Sequence, residues 1–453
     1  EHELPFITIQ LPLYNEATVA ARLIEAAGRF DYPRDRFEIQ VLDDSSDETR
    51  VIASKKVDEL SARGVNAYYV RRPNRHGYKA GALDYGLTTA RGEFVAMFDA
   101  DFIPRQSFLR DVIHHFVEPK VGMVQTRWAH LNRETNLLTR VQALMLDGHH
   151  LVENCARFGS GCYFNFAGTG GIWRRRAIDE AGGWQHDTLT EDLDLSYRAQ
   201  MVGYQFIYRP DILTPSELPE DVAALRAQQH RWAKGTVQTA RKLLPSVWQH
   251  PGLTTHQRVE AVFHMLPHFA YPLMLLLSVL LLPALVLLPA ADVRTMMLVD
   301  LPLCFGATGS IAMFYATAET SQNRSAWSAI KMLPVLIGLG AGMAPHLSSA
   351  VWSGLNHMSG EFVRTPKKGS AGSRYRMGVR LPLAELLLFT MSSCAVVAAV
   401  ETGHWFAAPF ALLFAWGQGY IAFLLLREQF LPALGGMATS SEVLEESPLA
   451  KAA

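Results

Sequence analysis

The chain has 453 residues, enough for about two or three domains, and its 42 Lys and Arg against 43 Asp and Glu leave a formal net charge of −1. Nothing in that balance points to nucleic acid as a partner. The charge is unevenly spread, however: it is dense up to about Glu260, and the 31 residues from Ala261 to Ala291 contain no Asp, Glu, Lys or Arg. A bilayer core needs only about 20 apolar helical residues, so a water-facing part is followed by a membrane part. Cys155, Cys162, Cys304 and Cys394 are scattered without metal-like spacing and are expected to be free thiols. The chain opens at Glu1 without a Met or a signal-like segment, and residues upstream, a membrane helix among them, are expected to be missing.

In chain order, Phe6 to Pro12 predicts a buried strand, followed by Tyr14-Asn15-Glu16 and a helix to about Gly28. Phe37 to Leu42 predicts a second strand, ending at Asp43-Asp44, with a helix to about Ala62. Ala67 to Val70 is a third strand, Tyr78 to Ala90 a helix, and Glu93 to Phe98 a fourth strand, ending at Asp99-Ala100-Asp101. Such alternation implies a mostly parallel sheet. Ligands of such sheets bind beyond the carboxyl ends of the strands, where all three acidic groups fall. The Gly-rich run Phe164 to Trp173 allows close backbone approach to a ligand, or a tight turn into a helix near Arg174. Thr190-Glu191-Asp192 then opens a helix from Leu193 to Val202. Gln205 to Tyr208 is extended, and a second helix from about Pro219 carries Gln228-Gln229-His230-Arg231-Trp232.

The residue types limit the chemistry. Two carboxylates at a strand end suit a hard divalent cation, and Mg2+ usually takes one or two of them plus phosphate oxygens. Lys79 can add a point charge to a diphosphate, and Arg71, Arg72 and Arg75 make the preceding loop basic. Each feature has an ordinary structural reading as well. Asp43-Asp44 can be a turn with a helix cap, Glu191-Asp192 can simply complement a helix N-terminus, and Arg231-Trp232 can be a half-buried pair.

Taken together, Asp43-Asp44, Asp99-x-Asp101, Thr190-Glu191-Asp192 and Gln228-x-x-Arg231-Trp232 resemble the motif series of the family 2 processive glycosyltransferases, the cellulose synthases and the cellulose-synthase-like mannan and glucomannan synthases. The run Phe164 to Trp184 and the form Gln228-Gln229-His230-Arg231-Trp232 look most like the mannan synthase branch. The resemblance covers residues 5–245 most strongly. It implies an α/β GT-A catalytic domain with a Rossmann-like, mostly parallel sheet over residues 1–245 and a helical membrane domain over 246–430, while the Gly-, Ser- and Glu-rich composition beyond makes 431–453 an expected disordered tail. It also implies a metal-dependent, inverting hexosyltransferase using Mg2+ or Mn2+. The donor would be UDP-glucose or GDP-mannose and the acceptor a growing β-1,4-glycan, extruded across the bilayer. Tyr14, Glu16 and Asp43 resemble a nucleobase pocket, Asp44, Lys79 and Asp99 diphosphate or ribose contacts, and Asp101, beside Asp99, the metal ligand. Asp192, with Glu191 and Thr190, resembles the catalytic base motif. Gln228 and Arg231 resemble diphosphate ligands, Trp232 the acceptor platform, and Ala167, Gly168 and Thr169 an acceptor stretch. Cellulose synthases carry Cys where Ala167 stands, which leaves the acceptor sugar open. A non-processive, glycolipid-forming transferase is the alternative.

Five apolar segments follow, starting at His264, Met296, Lys331, Pro382 and Trp405. The third contains Pro334, Gly338, Gly340, Gly342 and Pro345 and reads as interrupted. Arg364 to Arg380 carries six Lys or Arg and no acid, which places it in the cytoplasm with the catalytic domain. Four spanning helices with an interfacial or re-entrant third segment satisfy that sidedness, and five spans is the alternative. Phe362, Thr365 and Lys367, within a loop over 358–372, resemble the cellulose synthase gating loop, with Arg364 and Pro366 departing from its commoner form.

Overall fold

The computed structural model describes residues 4–289, 293–358, 360 and 381–430. The Phe362–Lys367 loop, the basic stretch from Arg364 to Arg380 and the tail over 431–453 lie outside the described residues.

Seven strands form one sheet in the order β3-β2-β1-β4-β6-β5-β7. They are β1 (Ile7–Leu13), β2 (Phe37–Asp43), β3 (Ala67–Val70), β4 (Phe94–Met97), β5 (Val121–His130), β6 (Gly171–Arg174) and β7 (Gln205–Ser216). β1, β2, β3 and β4 run parallel, as do β5 and β7, while β6 is antiparallel to β4 and β5. β1 and β2 are buried almost throughout, as strands covered on both faces require. One face presents Ile7, Ile9 and Leu11 to α1 (Ala20–Ala27), α2 (Thr49–Ala62) and α4 (Phe108–Ile113). The other packs Val95, Met97 and Trp173 against α3 (Tyr78–Leu87), α7 (Arg175–Glu180) and α8 (Glu191–Met201). Burying each such side chain stabilises by about 1.5–3 kcal/mol. Across β1 and β2, Thr8 Oγ1 donates to Glu38 at 2.8 Å, and Glu38 also accepts from Arg91 at 2.7 Å.

The α/β part continues through α5 (Leu137–Gly148) and α6 (Asn154–Gly159) and ends on α9 (Val222–Gln249). Asp221 caps α9 by accepting from Ala224 N–H at 2.8 Å. α10 (Thr255–Met265), α11 (Ala270–Leu287), the single turn α12 (Val293–Thr295), α13 (Leu301–Thr320), α14 (Ala326–Asn356), α15 (Leu383–Glu401) and α16 (Ala408–Phe430) complete the described chain. Among the described residues five helical stretches are long and apolar enough to cross a membrane: Pro267–Leu287, Met296–Thr320, Ala326–Asn356, Leu383–Glu401 and Ala408–Gln429. Their outward Leu, Val and Phe side chains, such as Leu273, Leu280 and Phe305, are exposed, as lipid-facing groups are.

α14 differs from its sequence reading. It is one helix of 31 residues that runs through Pro334 and Pro345 without a break. Tight packing supports it: a Cβ at Gly417 of α16 would stand 1.9 Å from the Gly338 carbonyl oxygen, so only glycine admits this crossing. Both ends of α14 meet the α/β part. Arg324, just before it, pairs with Asp147 at 3.1 Å. Near its other end Gly354 O accepts from Arg241 at 3.0 Å and His357 O from Gln238 at 2.7 Å.

Candidate active site

A cleft opens beyond the carboxyl ends of β1, β2 and β4. Tyr14 and Glu16 follow β1, Asp44 follows β2, and Asp99 and Asp101 follow β4, and all five line it. α3 contributes Lys79, the Gly-rich stretch Ala167 and Gly168, the start of α8 Thr190, Glu191 and Asp192, and α9 Gln228, Arg231 and Trp232. Residues far apart in sequence thus converge because the strand ends, the start of α8 and the middle of α9 share one mouth.

Lys79 is the hub. Its Nζ lies 2.6 Å from Asp99 Oδ1 and donates to Gly168 O at 2.9 Å. Burial works against its charge, but Asp99, Glu191 and Asp192 outweigh that and raise its pKa, so the ammonium persists. Gly168 has φ +81°, which favours glycine, and a Cβ there would meet Asp192 Oδ2 at 2.8 Å and so displace that carboxyl. Burial, and then the neighbouring Glu191 charge, push the Asp192 carboxyl up to about 7, against the pull of Lys79. Burial raises the Glu191 carboxyl in the same way. Thr190 is held by its hydroxyl, 3.0 Å from that of Thr239 on α9.

Two sequence candidates stand beside the cleft and do not line it. Asp43 is buried, and its oxygens accept from Ser45 N–H at 2.9 Å and Tyr69 O–H at 2.7 Å. Thr169 is buried, and its hydroxyl accepts from Asp99 N–H at 2.9 Å, which fixes the strand end carrying Asp99. Other residues enter to which the sequence reading gave only a general basic character or no role. Arg72 grips Asp44 with two bonds of 2.8 and 2.5 Å. The Arg75 guanidinium stacks 3.3 Å over the Tyr14 ring. Trp128 on β5 and Leu146 on α5 line the far side. The basic character of residues 71–75 was a signal for the first two; nothing in the sequence marked Trp128.

Asp99 and Asp101 supply hard oxygen donors, and among the described residues no group of three His, Cys, Asp or Glu forms a complete cage. A donor set of two carboxylates suits a divalent ion that completes its shell with phosphate oxygens and water.

Ligands of such open α/β sheets bind at this end, and the comparisons say which family the sheet belongs to. Residues 94–317 match the profile of Glycosyl transferase family group 2. The chain is 33% identical over 413 residues to Glucomannan 4-beta-mannosyltransferase 1 of Cyamopsis tetragonoloba, covering 86% of this chain and 76% of that protein. It is 41% identical over 264 residues to Probable glucomannan 4-beta-mannosyltransferase 4 of Oryza sativa subsp. japonica, covering 57% of this chain and 48% of that protein. The match thus spans about half the length of the rice protein. A mannosyltransferase from Pyrobaculum calidifontis, solved in complex with GDP-Man and Mn2+, has the same fold: TM-score 0.53 at 22% identity, covering 78% of this chain and 88% of that one. The chain belongs to the family 2 glycosyltransferases, among the cellulose-synthase-like proteins that include the glucomannan 4-beta-mannosyltransferases.

Proposed function

We propose that the chain is a membrane-embedded, inverting synthase that transfers a hexosyl unit from a nucleotide diphosphate sugar to the 4-hydroxyl of a growing β-1,4-glycan. The sugar is mannose from GDP-Man in the first place, with UDP-glucose as second donor, and the product a mannan or glucomannan. The observation that carries this reading is the convergence of Asp44, Asp99, Asp101, Asp192, Gln228, Arg231 and Trp232 on one cleft. The mannosyltransferase relatives favour mannose and a polymer over a single glycolipid linkage.

In this reading the Asp192 carboxylate takes the proton from the acceptor hydroxyl as its oxygen attacks the anomeric carbon. The bond to the diphosphate breaks on the opposite face. A base with its carboxyl near 7 is well matched to neutral pH. Lys79 and Arg231 face the leaving diphosphate, where Arg supplies two parallel hydrogen bonds. Asp101 and Asp99 would hold Mg2+ or Mn2+, which neutralises developing phosphate charge. Tyr14, stacked on Arg75, and Glu16 form the nucleobase end, and Trp232 offers its indole face to the acceptor sugar.

Residues 1–245 are then the catalytic domain, on the cytoplasmic side where nucleotide sugars are found, and 246–430 the membrane domain. A helix with both ends held by the same cytoplasmic part does not cross, so α14 lies at the membrane surface and four helices span. Phe362, Thr365 and Lys367, outside the described residues, are the residues we assign to a gate over the nucleotide.

The test is incubation of membranes carrying the chain with radiolabelled GDP-Man or UDP-glucose, in Mg2+ or Mn2+. The expected product is an ethanol-insoluble polymer digested by β-1,4-mannanase. A short, lipid-extractable product would contradict the reading.

A further inference from the structure

We propose that Gln238 is a positioning residue that ties the turn bearing the catalytic carboxylate to the C-terminal end of α14, and thereby sets where Asp192 stands in the cleft. This rests on the reading of Asp192 as the base. α9 carries two stripes that meet at this residue. Gly235, Gln238 and Thr239, spaced i, i+3 and i+4, share one face, and that face meets the turn before α8. A Cβ at Gly235 would stand 2.6 Å from Thr190 Cγ2 and 3.0 Å from the Leu189 carbonyl carbon. Thr239 and Thr190 join their hydroxyls at 3.0 Å, and Gln238 Oε1 accepts from Leu189 N–H at 3.0 Å.

The second stripe, Lys234, Val237 and Arg241, meets the end of α14. A Cβ at Gly354 would stand 2.8 Å from Lys234 O and 2.9 Å from Val237 Cβ, and Arg241 donates to Gly354 O at 3.0 Å. Gln238 belongs to both stripes, since its Nε2 also donates to His357 O at 2.7 Å. Its side chain is fully buried, at 0% exposure. One amide therefore satisfies two backbone groups, 49 residues before it and 119 residues after it. Deprived of the amide, the partly buried Leu189 N–H and His357 C=O must turn to water or shift, and either response loosens the backbone they belong to.

The displacement would be felt at the chemistry. Leu189 lines the cleft, Thr190 is next, and α8 begins with Glu191 and Asp192. A reacting group misplaced by about 1 Å can cost on the order of 10²-fold in rate.

The full chain in lipid nanodiscs tests this with three variants. Gln238→Leu removes both bonds. Gln238→Glu keeps an acceptor for Leu189 N–H and loses the donor to His357 O. Arg241→Ala removes only the neighbouring bond to α14. The readouts are kcat and KM for GDP-Man, or for UDP-glucose where the wild type uses that donor, with hydrogen exchange of peptides over 186–192 and 352–357. We expect Gln238→Leu to lower kcat about 10- to 100-fold, leave the donor KM within about twofold, and raise exchange in both peptides. Gln238→Glu should lower kcat by a smaller factor and raise exchange only in the α14 peptide. Arg241→Ala should raise exchange there and leave kcat within about twofold of wild type. A Gln238→Leu protein that does not fold leaves the contrast between Gln238→Glu and Arg241→Ala to decide. Equal kcat in those two, or a Gln238→Leu effect confined to KM or to thermal stability, would overturn the proposal. Normal turnover in Asp192→Asn would instead remove the reading beneath it, whereas a dead Asp192→Asn beside a wild-type-like Gln238→Leu removes only the tie.

Discussion

The two acidic sides of the cleft are built in opposite ways. On the sheet side the carboxylates are held by cations: Asp44 by Arg72 and Asp99 by Lys79. On the side of α8, Glu191 and Asp192 stand side by side, half-buried and with no salt bridge to either among the described residues; desolvation comes first in raising both carboxyls, joined by the Asp99 charge for Glu191 and by the Glu191 charge for Asp192, against the pull of Lys79. The same side-chain chemistry thus meets two different environments. Carboxylates at a strand end can ligate a cation that in turn carries a diphosphate, and a raised one can receive a proton.

Substitutions that break this division should differ in kind. Asp192→Asn should lower turnover by about 10²–10⁴-fold, as loss of a general base does. Donor affinity, measured by titration calorimetry, should stay close to wild type. On the sheet side, Asp101→Ala should lower turnover by about 10²-fold and abolish the response to Mg2+ or Mn2+, seen as insensitivity of residual activity to EDTA. Its donor affinity in the presence of metal should fall as well, which Asp192→Asn does not share. Full wild-type activity in excess EDTA would remove the metal assignment. The smallest effect belongs to the α9 wall. Trp232→Ala should lose ~1 kcal/mol of acceptor stacking, about fivefold in acceptor KM, with donor KM unchanged.

How far the sequence carried the account depends on the kind of signal. Asp44, Asp99 and Asp101 were legible because buried apolar runs place them at strand ends, and Thr190–Asp192 because it opens a helix. The ends of β1, β2 and β3 came within a residue or so of the sequence reading. β6 did not announce itself, because Gly170 and Gly171 dilute its strand signal. β7 runs to Ser216, well past Tyr208, because Pro210 and Pro215 hide its continuation. α14 passes two prolines because α9, α11 and α16 pack around it, information that a local pattern does not contain. The side chains that hold the site, Arg72 on Asp44, Thr169 on Asp99 and Gln238 on Leu189, act across tens of residues, and spacing alone did not pair them.

The pH dependence of kcat/KM for the donor tests the central claim most directly, because it reports ionisations of the free enzyme. Asp192 must be ionised to accept a proton. With its carboxyl pushed up to about 7, activity should fall as pH drops through that value. Glu191 is one cause of the rise, so Glu191→Gln should move the acid limb to lower pH. An acid limb near pH 7 that shifts downward in Glu191→Gln is the predicted result. A profile that stays flat from about pH 5 to 8, or a limb that Glu191→Gln leaves in place, would contradict the assignment of Asp192 as the base.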